Sequence, residues 1–591
     1  MTRSLQAKIF LAAVGLFSGL WGISWCLPQQ SRVLRVLPST ADSPEFRKKL
    51  LNSWKEMHSR LGADIILNPE VYSHGFKNSI VIEPGWSTPP PALLNSARSF
   101  HLRSAYEDEA NIVRGVATLK PHRLQFNPRV YWYGNSYIFL LAGWIGASSL
   151  ISPVTLVPGL GYYLENIDKM AAIFLSGRLL SAAIFWACAL LLAFIGKRHF
   201  NERAGLIAAG LFLVSPALVI QSHYMKPHLL GAMFILISFS LCADMLKTGN
   251  TRKGILAGGV IGLAAAAAIH LSLGVLIVAI AFALRLLEKN EIAAEIKWVV
   301  CSALSFFAAF FIVNSYYVTE FTTTMNAMSA VSTFLHLNPL KILTFIFLCI
   351  PLALTIPIAA AYAYGLLARG NRNSVVGRFA VISVSVFLLT SIVYSTVDKF
   401  DSIRYFGGSL IGFLLAGAAI ASGRKEVKAL AVVAFVYGLA ATSVMNYNFY
   451  LDATGRSTRD FAGQWIEKEI PAGSELLLLQ LPQPSNSPYF QWNRYRLRFV
   501  EPNAIKTLAK TGPLPEYVIL THVGGDHSPI FKPLENRYKR IKQFDSFSLG
   551  WIRFPIGQLL ANPRVDIFQR SQPLDKTAAA SRMTQGIAES L

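Results

Sequence analysis

The sequence predicts a polytopic α-helical membrane protein that ends in a small α+β domain, and three observations carry that prediction. Of 591 residues, 53% are hydrophobic and only 15% charged. Apolar runs recur from Ile9 to Met445, most of them long enough to cross a hydrocarbon layer about 30 Å thick. Past Met445 this rhythm stops and mixed polar sequence begins.

The first run, Ile9–Cys26, follows Arg3 and Lys8, as the apolar part of a signal peptide would. Trp21, Trp25 and the lack of a small-x-small cleavage site favour an uncleaved anchor over residues 1–26. Residues 27–130 are then predicted to be a first external loop that folds against the membrane, since they hold too much tryptophan and leucine for a disordered connector. Within the loop, Ser43-Pro44-Glu45 reads as a helix start, with Ser43 as cap and Pro44 in the first turn. Phe46, Leu50, Leu51, Trp54, Met57 and Leu61 follow at helical spacing, interleaved with Arg47, Lys48, Lys49, Lys55 and Arg60. Two readings of that basic amphipathic helix stand side by side: it lies in the membrane interface, or it packs on the loop's own core.

Residues 131–446 form the multi-span region, with apolar runs near 137–157, 171–195, 205–221, 229–246, 254–287, 298–318, 342–367, 379–397, 405–422 and 428–445. The run at 254–287 is long enough for two spans, which brings the expected total to about 11–13 helices. Basic connectors at Lys197–Arg203, Lys247–Lys253, Arg285–Lys297, Arg369–Arg378 and Arg424–Lys428 all read as cytoplasmic. Counting from a cytoplasmic N-terminus puts the first of them outside, so one span between 130 and 200 is miscounted or re-entrant. Residues 447–570 are expected to form an external domain, with a helix near Arg459–Ile470 and strands at Glu475–Leu481 and Tyr517–Thr521. The stretch 571–591, rich in Ala, Ser and Thr, is expected to be a disordered tail.

The net charge of +22 could point to nucleic acid. Its Lys and Arg, however, cluster in short connectors between apolar runs, which makes lipid head groups the expected counterpart. Cys26, Cys188, Cys242, Cys301 and Cys349 lie in or beside apolar segments without metal-ligand spacing, and read as small core hydrophobes. No Gly-rich phosphate loop or dinucleotide fingerprint occurs. Among the remaining features the acidic triplet Glu107-Asp108-Glu109 stands out, because it precedes a span in a chain otherwise poor in charge. Group transfer at a membrane surface needs such a carboxylate to take a proton, and cations to hold a departing phosphate.

The triplet is followed by IVRGVATLKPHRLQFNPRVYWYGNSYIFLLAGW, a helix-like piece, a Pro-containing piece and an aromatic entry into a span. Here the chain resembles the GT-C superfamily of integral-membrane glycosyltransferases, in the branch of protein O-mannosyltransferases, the aminoarabinose transferase of lipid A and their bacterial relatives. Further pieces agree in order: Gly177-Arg178-Leu179-Leu180-Ser181, Ser222-His223-Tyr224-Met225-Lys226-Pro227-His228, Gly262–His270, Asp401-Ser402-Ile403-Arg404-Tyr405-Phe406, and Arg459 to Ser474. His228 stands where relatives carry an acid, and His270 where they carry a lysine.

The resemblance implies a GT-C type bundle and inverting transfer of a sugar from a polyprenyl-phosphate donor. The acceptor would be a hydroxyl on a glycan, lipid or protein. On the matching positions, Asp108 would be the catalytic base and Glu109 would orient the site or a cation, with Glu107 a bystander. Arg404, Lys226, Tyr405 and Arg178 would hold the donor phosphate, and His122, His223 and His270 would contact substrate. Read by themselves, Arg404 and Lys226 are equally well interfacial anchors at span ends. No metal site is expected, and no cofactor beyond a divalent cation at most. Residence in a cell membrane, a bacterial inner membrane by the same resemblance, with the site facing the periplasm or exterior, is expected. A transporter or flippase of lipid-linked intermediates and a non-catalytic lipid-binding relative are the alternatives.

Overall fold

The computed structural model describes residues 3–38, 43–61, 79–131, 133–289, 292–332, 344, 348, 350–394, 409–511, 513–523, 526–552 and 560–571. The first helix, Arg3–Leu20, stops short of the predicted run because Gly22, at φ +83°, turns the chain. A side chain at Gly22 would collide with the Cβ of Phe449 at 2.6 Å, so the turn can press flat against the last long helix, Lys425–Ala453.

Near the start of the first helix, Lys8 and Ser4 reach Glu202 at 2.9 and 2.8 Å. The N-terminus and the Lys197–Arg203 connector therefore share one end of the bundle. The parity conflict bears on the helix Asn135–Ile151, which at 17 residues is shorter than the helices long enough to cross. It runs antiparallel to the N-terminal half of Ile167–His199, with Tyr137 meeting Ser181 at 3.2 Å and Ser148 meeting Ser176 at 3.0 Å. The following short helix, Leu160–Glu165, packs against two helices of the first loop, Pro44–Leu61 and Pro91–Leu102. The stretch after Asn135–Ile151 thus ends against the first loop. Ile167–His199, about 50 Å long at 1.5 Å per residue, is longer than a bilayer core is thick.

Among the described residues, five helices are long and apolar enough to cross a membrane: Ile167–His199, His228–Thr248, Ile269–Glu288, Ile292–Val313 and Lys425–Ala453. Glu202–Leu213 and Pro216–Ser222, bent by 72°, together make a sixth. The bend falls at Pro216, which brings no N–H to continue the helix. Shorter apolar helices account for further predicted runs, namely Ser4–Leu20, Ile356–Leu367, Val375–Leu389 and Ile411–Ser422. The run at 254–287 is indeed two helices, Thr251–Ala265 and Val275–Lys289, around a 3-10 turn at Ile269–Gly274. Parts of the predicted runs 342–367, 379–397 and 405–422 lie outside the described residues.

The polar regions at 27–130 and 447–570 share one sheet. It has six strands in the order β1 (Ser79–Ile82), β3 (Arg496–Val500), β2 (Glu475–Leu478), β4 (Tyr517–Thr521), β6 (Val565–Arg570), β5 (Tyr538–Phe544). β2 (Glu475–Leu478) lies parallel to both β3 (Arg496–Val500) and β4 (Tyr517–Thr521), and β6 (Val565–Arg570) is antiparallel to β4 and to β5 (Tyr538–Phe544). β1, Ser79–Ile82, comes from the first loop and closes the far edge antiparallel to β3. In the same loop Ser43 accepts from the Phe46 N–H at 3.1 Å, as a cap should. Phe46 and Leu50 of that helix are buried against Pro91–Leu102, which realises the reading in which it packs on the loop's own core.

A sealed knot of charge joins these parts. Arg32 lies 3.1 Å from Asp452 and 3.4 Å from Asp460, and Arg459 lies 2.9 Å from Asp452. Asp452 ends the last long helix, Arg459 opens the domain's first helix, Thr458–Glu469, and the Cys26 N–H leaving the first helix also donates to Asp452.

Candidate functional site

The triplet opens the helix Glu107–Thr118, where carboxylates complement the positive end of the backbone dipole. Helical geometry turns its three members in different directions. Glu107 is exposed, Asp108 half-buried and Glu109 fully buried.

Glu109 is saturated. Arg178 donates to it through Nε at 2.9 Å and Nη2 at 2.8 Å, the Met225 N–H donates at 3.0 Å, and the Ser104 hydroxyl donates to its other oxygen. The remaining nitrogen of Arg178 donates to the carbonyls of Ile23 and Trp25, and its guanidinium lies 4.8 Å from the Trp25 ring. Gly177 allows Met225 to come this close, since a Cβ there would fall 1.9 Å from the Met225 sulfur. Arg178, expected at the donor phosphate, is instead wholly buried, with its donors taken by protein. Glu109, expected to orient the site or a cation, holds Arg178 and the backbone N–H of Met225.

Asp108 is placed differently. Its Oδ2 lies 3.0 Å from Lys226 Nζ and accepts from the Tyr106 hydroxyl at 3.3 Å. The Asp108 side chain is 32% exposed while that of Lys226 is only 1% exposed, so the carboxylate forms the open edge of the pair. Lys226 is held by more than charge. Its ammonium lies 4.4 Å from the centre of the Tyr106 ring, and Tyr106 stacks on Tyr224 at 4.3 Å with 9° between the planes. Lys226 sits between the bent Pro216–Ser222 segment and the helix beginning at His228, where a broken span brings backbone and charge together.

The histidines divide. His223 is buried, shared between the carbonyls of Val219 and Trp21 at 3.1 Å each and stacked on Phe449, which gives it a packing role. His122 lies exposed in the turn Pro121–Arg123. His270 is half-buried with its ring 5.2 Å from that of His228, which meets Tyr133 at 6.4 Å. Arg404 and Tyr405 lie outside the described residues. Among the described residues no group of three or more His, Cys, Asp or Glu side chains is arranged to hold a metal ion. Tyr106, Tyr224 and Ser104 were not expected from the sequence. Tyr106 precedes the triplet directly and Tyr224 stands two residues before Lys226, and that adjacency was the available signal.

Residues 170–317 match the family described as dolichyl-phosphate-mannose-protein mannosyltransferase. Over that stretch the chain is similar to this family. The match takes in Arg178, Lys226 and His270, while Asp108 and Glu109 precede it, and the resemblance read from the motifs is borne out there. No curated relative matches. The fold is similar to that of ArnT from Cupriavidus metallidurans bound to undecaprenyl phosphate, at 11% identity and TM-score 0.38, covering 96% of this chain and 98% of that one. It is also similar to the oligosaccharyltransferase AglB from Archaeoglobus fulgidus, in complex with an inhibitory peptide and a dolichol-phosphate, at 12% identity and TM-score 0.34, covering 69% of this chain and 64% of that one. The arabinofuranosyltransferase AftD from Mycobacteria gives 15% identity and TM-score 0.32, covering 70% of this chain and 37% of that one.

Proposed function

We propose that this protein is a membrane glycosyltransferase that moves a sugar from a polyprenyl-phosphate donor to an acceptor hydroxyl, with inversion, on the face of the membrane that carries the first loop and the C-terminal domain. The observation that carries this reading is the Asp108–Lys226 pair, a partly exposed carboxylate 3.0 Å from a buried ammonium at the break of a span. Asp108 takes the proton of the acceptor hydroxyl as that oxygen attacks the anomeric carbon, and Lys226 neutralises the phosphate that departs from the opposite side. Because attack and departure lie on opposite faces of the sugar, the ion pair is the resting arrangement. The donor phosphate competes for Lys226 and so frees the carboxylate for the acceptor. Arg404 and Tyr405 are proposed to add to the phosphate site.

Glu109 and Arg178 act one layer behind, fixing the backbone of Met225 and with it the position of Lys226. The test supplies proteoliposomes with a radiolabelled polyprenyl-phosphate sugar and an acceptor extract, and compares wild type with Asp108→Asn. Transfer by wild type and its loss in the variant are expected. Undiminished transfer by a correctly folded Asp108→Asn would overturn the assignment, and movement of the lipid across the bilayer without sugar transfer would favour a flippase.

A further inference from the structure

Between β5 and β6 the chain leaves the sheet and descends along the outside of the Lys425–Ala453 helix. Asn448 holds it at the upper end, its side chain accepting from the Phe547 N–H at 2.8 Å and donating to the Phe547 carbonyl at 3.0 Å. Phe547 meets the Tyr447 ring edge-on at 4.7 Å. Leu549 and Ile552 then close a tight hairpin by bonding each other's backbone at 3.0 and 2.9 Å, with Gly550 at φ +56° supplying the turn. At its tip Trp551 stacks on Tyr437 at 4.8 Å.

Tyr437 is the measure of depth. At 1.5 Å per residue it lies roughly 15 Å below Tyr447 and roughly 22 Å below Asp452 along a helix long and apolar enough to span a membrane. The residues of that helix that face outward at this level, Val432, Val433 and Val436, are exposed and aliphatic. The hairpin continues this surface. Phe547 is 39% exposed, Leu549 56% and Trp551 74%, and Ser546–Ile552 contains no charged residue.

A domain meant to face water would not hold such a patch on a loop. Part of the backbone is satisfied within the protein, which irregular chain at membrane depth needs. Here Asn448 satisfies both groups of Phe547, and Leu549 and Ile552 satisfy each other. Behind the hairpin lies a mostly apolar cavity of about 450 Å³, walled by Trp551 and Ile552 on one side and by Pro216, Thr355, Tyr437 and Ala441 on the other.

We propose that Phe547–Ile552 is a membrane-inserted hairpin of the C-terminal domain, and that the partner of its exposed face is the hydrocarbon of bilayer lipids. It anchors the domain beside the last long helix, independently of the reaction proposed above.

The test is a nitroxide label at Leu549→Cys in the full chain, reconstituted in phosphatidylglycerol and phosphatidylcholine vesicles, with the unsubstituted protein as background. Collision with oxygen and with a water-soluble nickel chelate is measured by electron paramagnetic resonance. Labels at Val433→Cys and at Lys539→Cys, on exposed β5, serve as the lipid and water references. The hairpin label should follow Val433→Cys, with high oxygen and low nickel collision. A ratio matching Lys539→Cys would overturn the proposal, and so would shielding from both reagents, which would mean a protein partner covers the loop. Because the label sits outside the Asp108 site, either result leaves the transferase assay unaffected.

Discussion

The knot around Asp452 and the pair at Asp108 both set a buried arginine or lysine beside aspartate, yet they are built to opposite ends. In the knot around Asp452, the carboxylate receives Arg32, Arg459 and the Cys26 N–H, and side-chain exposure is 6% for Arg32 and nil for Arg459 and Asp452. In the pair at Asp108, the ammonium is as deeply buried but the carboxylate keeps an open edge. A charge whose acceptors are all filled can only hold parts together, whereas one with an open edge can exchange its partner for a ligand. Glu109 belongs with the knot by this criterion, although it is the immediate neighbour of Asp108.

Substitutions can break that comparison. Asp108→Asn is expected to lower turnover by about 10²–10⁴-fold while lowering the unfolding temperature in detergent less than the knot variants do, because the amide oxygen can still accept from Lys226; a drop in unfolding temperature as large as that of the knot variants would erase the distinction. Asp452→Ala strands Arg32 and Arg459 and should cost about 3–5 kcal/mol, read from chemical unfolding of the purified protein. Retention of full stability would mean that the knot carries no load. Gly177→Ala pushes Met225 out of its close approach and should cost about 1–3 kcal/mol. It should raise KM for the donor more than it lowers kcat, because it acts through the position of Lys226.

The smallest effect concerns Asp566 in the sheet, another enclosed carboxylate. Burial alone would raise its carboxyl, but the hydrogen bonds from His522 and Arg564 outweigh burial and hold it below the ordinary 3.8. A group depressed on folding stabilises fully above its unfolded value and loses that contribution as pH falls through the folded one. Unfolding midpoints followed downward from pH 6 should therefore show an acid loss that Asp566→Asn makes shallower. An unchanged profile would show that this carboxylate takes no part in it.

The sequence made the composition of the site legible, since Asp108, Glu109, Arg178 and Lys226 all stood out as charges beside apolar runs. Their pairing was not legible, because partners so far apart along the chain meet only through a broken span and a turn at Gly22. The parity conflict between 130 and 200 has the same origin. Asn135–Ile151 has the composition of a span, and its packing on Ile167–His199 depends on contacts that the run itself does not announce. The C-terminal domain could be read from its change in composition, but four residues at Ser79–Ile82 carry too weak an alternation to announce a strand that belongs to it. Arg32 and Asp452 passed unnoticed because isolated charges at the ends of apolar runs resemble ordinary anchors.

The contribution of β1 has a consequence for how the protein is made. β3 emerges several hundred residues after β1, which at about 5–20 residues per second means a delay of tens of seconds. Throughout that interval β1 waits outside the membrane without its neighbour, while the bundle between them is threaded and packed. Once translated, β3 has one bare edge until that early strand reaches it, and bare edges invite the wrong chain. The C-terminal domain expressed alone would carry that bare edge permanently, so its solubility depends on a segment synthesised at the other end of the polypeptide.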